Sequence, residues 1–551
     1  MDNVFNRRMF VKGVSALFAV PPANCFAHVA IAAENDNVVA TTSYGKVRGF
    51  TVGGTKVFKG IPYGDTTAGR NRFLPPKKPA SWTGVRDALA FGHTAPQMSN
   101  GVRKSGTPEQ GEDCLVLNVY TPEAGDKNKR PVMVWLHPGG FISGSGSVPV
   151  ENGVNLAHNH NLVIVSLNHR LNSFGATYLG EIAGPEFALS GNVGMQDIVA
   201  ALQWVRENIR HFGGDPDMVT IFGQSGGGRK VATLMAMPDA RGLFHRAIVE
   251  SGAMLRSTTR EDAVREAELM MRVAQLQPNL DGVRELQNLP FQKLIELDAA
   301  VQKAFQANHS AMGMKVALTE PGMSWASPMV DGKVLPNHPW DPRGPELSAD
   351  IPLMIGTTHT EETLFDRPTP EKLALTEAEL KERTAKRLGV NPDPVIAAFR
   401  QIYPDLSPWD LYILIASEHP RGAYARELAK RKVLQGRAPA YVYRFDWETP
   451  EGGGHMRSEH GVEVPFVFEN IKIAGPLISK MPEAYALSEK VSASWVAFAR
   501  TGNPNTPKLP NWPAYSVERR ETMLFNNECK VEQDPAKPAR LAMEKVLKLS
   551  S

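Results

Sequence analysis

The chain has 551 residues, 42% of them hydrophobic and 22% charged, with a formal net charge of +3. This is an ordinary globular composition, and no single-sign block marks a nucleic-acid surface, so no nucleic acid is expected as a partner. Only three cysteines occur, Cys25, Cys114 and Cys529, too few for a disulfide framework and without zinc-ligand spacing to histidine, so no metal site is expected.

The N-terminus reads as an export signal. Arg7-Arg8 is followed by Phe10 and Lys12, an apolar run over residues 13–20, and Ala30-Ile31-Ala32, which fits an A-x-A cleavage site. The paired arginine resembles a twin-arginine signal. The run is too short and too broken by Pro21 and Pro22 to be a membrane anchor. Residues 1–32 are therefore assigned to the signal, residues 33–551 to one catalytic domain, and the mature protein to the periplasm or exterior. Cys25 leaves with the signal. Whether Cys114 and Cys529 pair is left open by their spacing.

Further along, short apolar runs at 132–136, 162–165, 219–222 and 247–249 predict strands buried on both faces, as in a parallel sheet covered by helices. Between them, Ile198, Leu202, Val205 and Ile209 lie at helical spacing within residues 195–211. Gly213-Gly214-Asp215-Pro216 stops that helix. Strand–helix alternation predicts an α/β fold with a mostly parallel central sheet and helices on both faces. Residues 260–345 and 366–435 are rich in helix formers and charge. They predict helical cap insertions over the sheet's carboxyl edge. Residues 441–445 alternate and return to strand, and a helix spans 484–500.

The chemistry concentrates in two glycine-rich turns. Gly223-Gln224-Ser225-Gly226-Gly227 follows the strand at 219–222 and precedes a helical run at 230–237. This is the setting of a nucleophile elbow. The serine sits on a tight, strained turn, and side chains at the flanking positions would strike neighbouring backbone. The other turn, His137-Pro138-Gly139-Gly140-Phe141, follows the strand at 132–136. Its glycines let backbone N–H groups approach a reacting carbonyl. Gly139, Gly140 and Gly226 are thus the candidate oxyanion hole and Ser225 the candidate nucleophile. Pro138 lacks an N–H, is not among the expected donors, and stiffens the loop.

With these turns in place the sequence resembles the type B carboxylesterases, the family that includes the cholinesterases. The resemblance covers residues 40–530. It rests on Phe58-Lys59-Gly60-Ile61-Pro62-Tyr63, Glu112-Asp113-Cys114-Leu115-Val116-Leu117-Asn118-Val119-Tyr120, Gly191-Asn192-Val193-Gly194, Phe212-Gly213-Gly214-Asp215-Pro216 and Phe498-Ala499-Arg500-Thr501-Gly502-Asn503-Pro504. It implies an α/β-hydrolase fold and a Ser-His-Glu triad that needs no cofactor. The implied base is His460, in His460-Gly461-Val462-Glu463-Val464-Pro465-Phe466, with His455 the near competitor. The implied acid is Glu361, a few residues beyond a strand 353–355 taken to end at Gly356, with Glu362 beside it as the alternative.

The resemblance also implies ion pairs of Arg72 with Glu112 and of Arg170 with Asp197, and contact of Ser251 with the triad acid. Glu250 replaces a common Gln, and no cysteine stands near position 98 to pair with Cys114. The expected activity is hydrolysis of small-molecule esters through an acyl-enzyme. The alternatives are the same triad acting on amide, thioester or lactone bonds, and a non-catalytic binding member of the fold. Substrate pockets are expected among the insertions and near Phe141, Phe365 and Phe466.

Overall fold

A computed structural model describes residues 34–98, 108–308 and 326–549. The expected export signal, residues 1–32, lies outside these. Thirteen strands form one sheet. In chain order they are β1 (Glu34–Thr42), β2 (Gly45–Val52), β3 (Thr55–Pro62), β4 (Val85–Asp87), β5 (Val116–Thr121), β6 (Arg130–Leu136) and β7 (Val163–Leu167). There follow β8 (Gly214–Gln224), β9 (Arg246–Glu250), β10 (Leu353–Thr358), β11 (Ala440–Phe445), β12 (Glu521–Phe525) and β13 (Lys530–Gln533).

Their spatial order is β1-β2-β3-β5-β7-β6-β8-β9-β10-β11-β12-β13, with β4 beside β2. From β7 to β12 neighbouring strands are parallel; β1, β2, β3 and β5 enter antiparallel on one side and β13 closes the other.

The parallel strands are apolar on both faces because each face carries its own core. Along β6, Val132, Val134 and Leu136 point into one cluster and Met133 and Trp135 into the other. The first core packs the sheet against helices Val193–Asn208, Gly226–Leu234 and Ala423–Val433, through Ile198, Leu202, Val231, Leu428 and their neighbours. The second packs it against helix Pro482–Thr501 through Val491, Trp495 and Phe498. Trp135 shows how tightly that face is filled: its ring meets Phe222 at 4.8 Å and Phe468 at 4.9 Å between centroids. Burying a large apolar side chain this fully contributes about 1.5–3 kcal/mol.

Two sequence expectations are corrected here. β10 does not end at Gly356 but runs through it to Thr358. Gly356 pairs with Tyr443 on β11, and a Cβ on it would lie 2.4 Å from that ring, so glycine serves packing in mid-strand rather than a turn. β11 alternates as expected, but between two cores: Tyr441, Tyr443 and Phe445 fill the second while Val442 faces the first. The second helical stretch is not all insertion. Helices Glu377–Leu388, Asp393–Ile402 and Pro408–Ser417 form a separate cluster, joined by helix Lys537–Leu547. Helix Ala423–Val433 instead packs on the sheet, as the crossover between β10 and β11.

In the first stretch, helices Arg260–Val273, Leu280–Asn288 and Phe291–Asn308 build their own cluster with Phe174 and Phe187. Residues 326–345 are irregular. Cys114 is buried, Cys529 half-buried, and both are free thiols.

Two buried ion pairs tie this frame together. Arg72 grips Glu112 through two bonds of 2.6 and 2.7 Å and donates to the carbonyls of Leu286 and Leu289, which fastens the first insertion to the sheet. Arg170 grips Asp197 at 2.6 and 2.8 Å, with both side chains essentially inaccessible. Removing one partner leaves the other charge buried alone. Asp197→Ala should therefore cost about 3–5 kcal/mol in denaturant unfolding; a loss within experimental error would contradict this account of Arg170.

Candidate active site

The site is assembled at the carboxyl ends of β6, β8, β9 and β10. β8 delivers Ser225 at the start of helix Gly226–Leu234, with φ 55° and ψ −120°, a backbone conformation strained for a residue with a side chain. The turn is held from below: the Ser225 N–H donates to the Glu250 carbonyl at 2.7 Å, and the Arg229 N–H donates to the Ser225 carbonyl at 3.0 Å. Ser225 remains partly exposed.

The loop after β6 closes over the same point. Gly139 has φ 102° and Gly140 φ 64°. A Cβ on Gly226 would fall 2.3 Å from both the N and O of Gly140, so the two backbones are in direct contact and only glycine fits. The Gly139 carbonyl accepts from the N–H groups of Ile142 and Ser143. None of the N–H groups of Gly139, Gly140 and Gly226 is taken by another backbone carbonyl. The three candidate donors are thus brought together beside Ser225, with the N-terminus of helix Gly226–Leu234 adding its positive end.

His460 and Glu361 meet behind the serine. His460 Nδ1 donates to Glu361 Oε2 in a short hydrogen bond, and the Thr358 N–H donates to Glu361 Oε1 at 2.9 Å. Since Nδ1 carries the proton, Nε2 is the unprotonated ring nitrogen and can accept. It faces Gln224 Nε2 at 3.2 Å, one residue from Ser225. Glu362 is elsewhere: its carboxylate takes Arg387 at 2.9 and 3.1 Å and Arg421 at 3.4 Å. The two neighbouring glutamates thus face different partners, Glu361 a histidine and Glu362 arginines. His455 is exposed on the turn Glu451–Gly454 and its flank, away from this cluster.

Burial governs the electrostatics. It pulls His460 below its ordinary value, an effect opposed by Glu361 and reinforced by Arg421 and Arg229. Burial alone would raise Glu361, but the charge and hydrogen bond of His460, with Arg421 and Ser251, bring it below the usual carboxylate range. Ser251, itself at φ 50°, lies against both Glu361 and Glu463 and favours their charged forms without an aligned hydrogen bond to either.

Sequence reasoning passed over Glu463, quoted only as a motif letter. It is fully buried, neither oxygen has a partner, and burial together with Glu361 and Glu250 pushes it well up. Glu250 is pushed up to about 7 by burial, against a 2.8 Å bond from Trp495 Nε1. Burial thus favours the neutral form of Glu463, while Glu361 beside it is held toward its charged form. Of the residues expected near the pockets, Phe466 and Phe141 are core residues. Only Phe365 is exposed, its ring 5.1 Å from that of His460 and capped by Arg421 at 4.4 Å. Among the described residues no group of three or more His, Cys, Asp or Glu could hold a metal ion, and no helix is long and apolar enough to cross a membrane.

A profile of the carboxylesterase family matches residues 35–542. The chain belongs to the carboxylesterase family. It is 37% identical over 508 residues to the para-nitrobenzyl esterase of Bacillus subtilis, covering 91% of this chain and 97% of that one. Among solved structures it is similar to a Geobacillus stearothermophilus carboxylesterase, at 36% identity, with TM-score 0.77 and coverage of 92% and 99%. It is also similar to an esterase from Clostridium hathewayi, at 31% identity, with TM-score 0.78 and coverage of 94% and 100%. These neighbours share the α/β-hydrolase fold. The family is one of ester hydrolases, and the chain is accordingly a carboxylesterase.

The charges around His460 set an expected pH response. To serve as a base His460 would have to be neutral, and on that reading kcat/KM should fall as pH drops through a value below 6.5. Arg421→Gln removes a like charge and should move this acid limb to higher pH in kcat/KM profiles. An unmoved or more acidic limb would show that Arg421 does not act on His460.

Proposed function

We propose that this carboxylesterase hydrolyses esters through an acyl-enzyme, with Ser225 as nucleophile, His460 as base and acid, and Glu361 as the orienting carboxylate. His460 Nε2 takes the Ser225 proton as Oγ bonds to the ester carbonyl carbon. The carbonyl electron pair moves onto oxygen, which the N–H groups of Gly139, Gly140 and Gly226 receive. The imidazolium then protonates the alcohol as the C–O bond breaks. Water repeats the sequence on the acyl-enzyme and restores Ser225. Glu361 holds the Nδ1–H tautomer and balances the imidazolium charge. The observation that carries this reading is the His460–Glu361 hydrogen bond beside a strained Ser225.

The test is hydrolysis of p-nitrophenyl esters of increasing acyl length by the mature protein. Para-nitrobenzyl esters belong in the series because the Bacillus subtilis relative is named for them. Ser225→Ala should lower kcat by about 10⁴-fold or more. Glu361→Gln should lower it by about 10³–10⁴-fold, while Glu362→Gln, which loosens only the pairs with Arg387 and Arg421, should stay within about tenfold of wild type. Equal activity of wild type and Ser225→Ala would remove the triad assignment.

Export through the twin-arginine route is proposed on Arg7-Arg8 and the apolar run after it. Replacing both arginines by lysine should leave the full-length protein in the cytoplasm of a bacterial host. Undiminished periplasmic activity would exclude that route.

A further inference from the structure

Beneath the oxyanion loop lies a group of side chains that the triad does not use. Lys230 belongs to helix Gly226–Leu234, one turn beyond Gly227, on the face that packs against the end of β6. Its side chain is fully buried. A lysine so placed on a buried face normally has a carboxylate partner. Among the described residues the ammonium makes a single hydrogen bond, 2.9 Å to the carbonyl of His137. That carbonyl immediately precedes Pro138-Gly139-Gly140.

The groups around Lys230 do not neutralise it. His137 and His169, at the ends of β6 and β7, stack with centroids 5.0 Å apart and planes at 14°. Each bonds a backbone carbonyl through Nδ1 at 2.8 Å, to Pro138 and Arg170 respectively. A carbonyl can only accept, so Nδ1 carries the proton in both rings and Nε2 is a bare acceptor. Both Nε2 atoms are buried without a partner. Burial, then the charge of Lys230, pulls both imidazoles well below their ordinary value, so they stay neutral. The carboxyl facing Lys230, Glu151 on the turn Pro149–Glu151, forms no ion pair with it. Its hydrogen bond comes from Trp135 Nε1 at 2.6 Å, and burial pushes it up to about 8. Glu250 acts on Glu151, and Arg170 on His169. Burial likewise brings Lys230 down to about 7, with Glu151 opposing.

We propose that Lys230 is a positioning residue of the oxyanion hole: its buried ammonium anchors the His137 carbonyl, fixes the Gly139–Gly140 turn against Gly226, and sets a positive charge behind the developing oxyanion. The proposal rests on the reading of Gly139, Gly140 and Gly226 as that hole. A charge that is poorly compensated in the resting enzyme is best compensated when the carbonyl oxygen of the substrate becomes negative. Its effect therefore falls on the transition state more than on substrate binding.

The test is Lys230→Met, close in length and without charge, compared with wild type for kcat, KM and inhibition by a trifluoromethyl ketone. Such a ketone adds Ser225 Oγ to its carbonyl carbon and leaves an oxyanion in the hole. With KM within about twofold, kcat and ketone affinity should fall together by about 10–100-fold. Wild-type kcat should also decline as pH rises through the Lys230 transition, and that alkaline limb should be absent from Lys230→Met.

Unchanged kcat and ketone affinity in a folded Lys230→Met, or a loss of kcat with ketone affinity retained, would overturn the proposal and leave the triad standing. If Lys230→Met does not fold, Glu151→Gln decides: loss of the carboxylate that supports the ammonium should move the alkaline limb to lower pH, and an unmoved limb overturns the proposal. A wild type that fails to turn over esters and does not react with the ketone overturns the triad reading itself.

Discussion

The contact between the backbones of Gly226 and Gly140 is the constraint on which the rest of the site depends. It places the first turn of helix Gly226–Leu234 directly under the loop after β6, with no room for a single methyl group. Such an approach is possible only if β6 and β8 are adjacent and parallel, so that both chains leave the sheet at the same edge. They are, with Val132 to Leu136 in register with Val219 to Gly223. The strained dihedrals of Ser225 follow from the same geometry. A turn of this kind costs on the order of 1–3 kcal/mol and persists because its N–H and carbonyl are both bonded and the sheet on either side is rigidly packed.

Charge is the second organising problem. Many acidic and basic groups lie buried around the catalytic edge, among them Glu151, Glu250, Glu361, Glu463, His137, His169, His460 and Lys230. They cannot all be ionised in a medium this dry. The arrangement separates them into two groups. On the β9–β10 side, the carboxyls of Glu463 and Glu250 are displaced upward and Glu361 downward, so the carboxyl held toward its charged form is the one bonded to His460. On the β6–β7 side, Lys230 sits among neutral imidazoles and beside Glu151, whose carboxyl burial displaces upward. Negative charge is thereby kept at the back of His460, and positive charge toward the oxyanion loop. This is the polarity that ester hydrolysis demands.

The insertions serve the same edge. Arg72 links Glu112 to the loop ending helix Leu280–Asn288, and the helix Pro408–Ser417 supplies Ser417, whose hydroxyl receives the Glu362 N–H at 3.0 Å. The turn carrying Glu361 is thus braced from its far side. Glu362 takes Arg387 and Arg421, while Glu361 accepts from His460 and from the Thr358 N–H. Phe365, one turn later, is left exposed against the His460 ring with Arg421 over it. It is the one aromatic of the three expected near the pockets that is available to a substrate.

Local patterns determined much of this protein. Period and composition were enough for the parallel strands, because residues apolar on both faces have few other homes. Glycine pairs marked the two turns, because the conformations there exclude a side chain. What local pattern could not decide was direction and partnership. Glu361 and Glu362 are the same chemistry one position apart, and only the packing of the insertion sends one to His460 and the other to arginine. Gly356 read as a strand end because the aromatic ring that requires a glycine there comes from Tyr443, 87 residues further on. Lys230 read as an ordinary helical residue and Glu463 as a motif letter. Their burial without full partners depends on strands and loops remote in sequence, and burial is a property of the folded molecule alone.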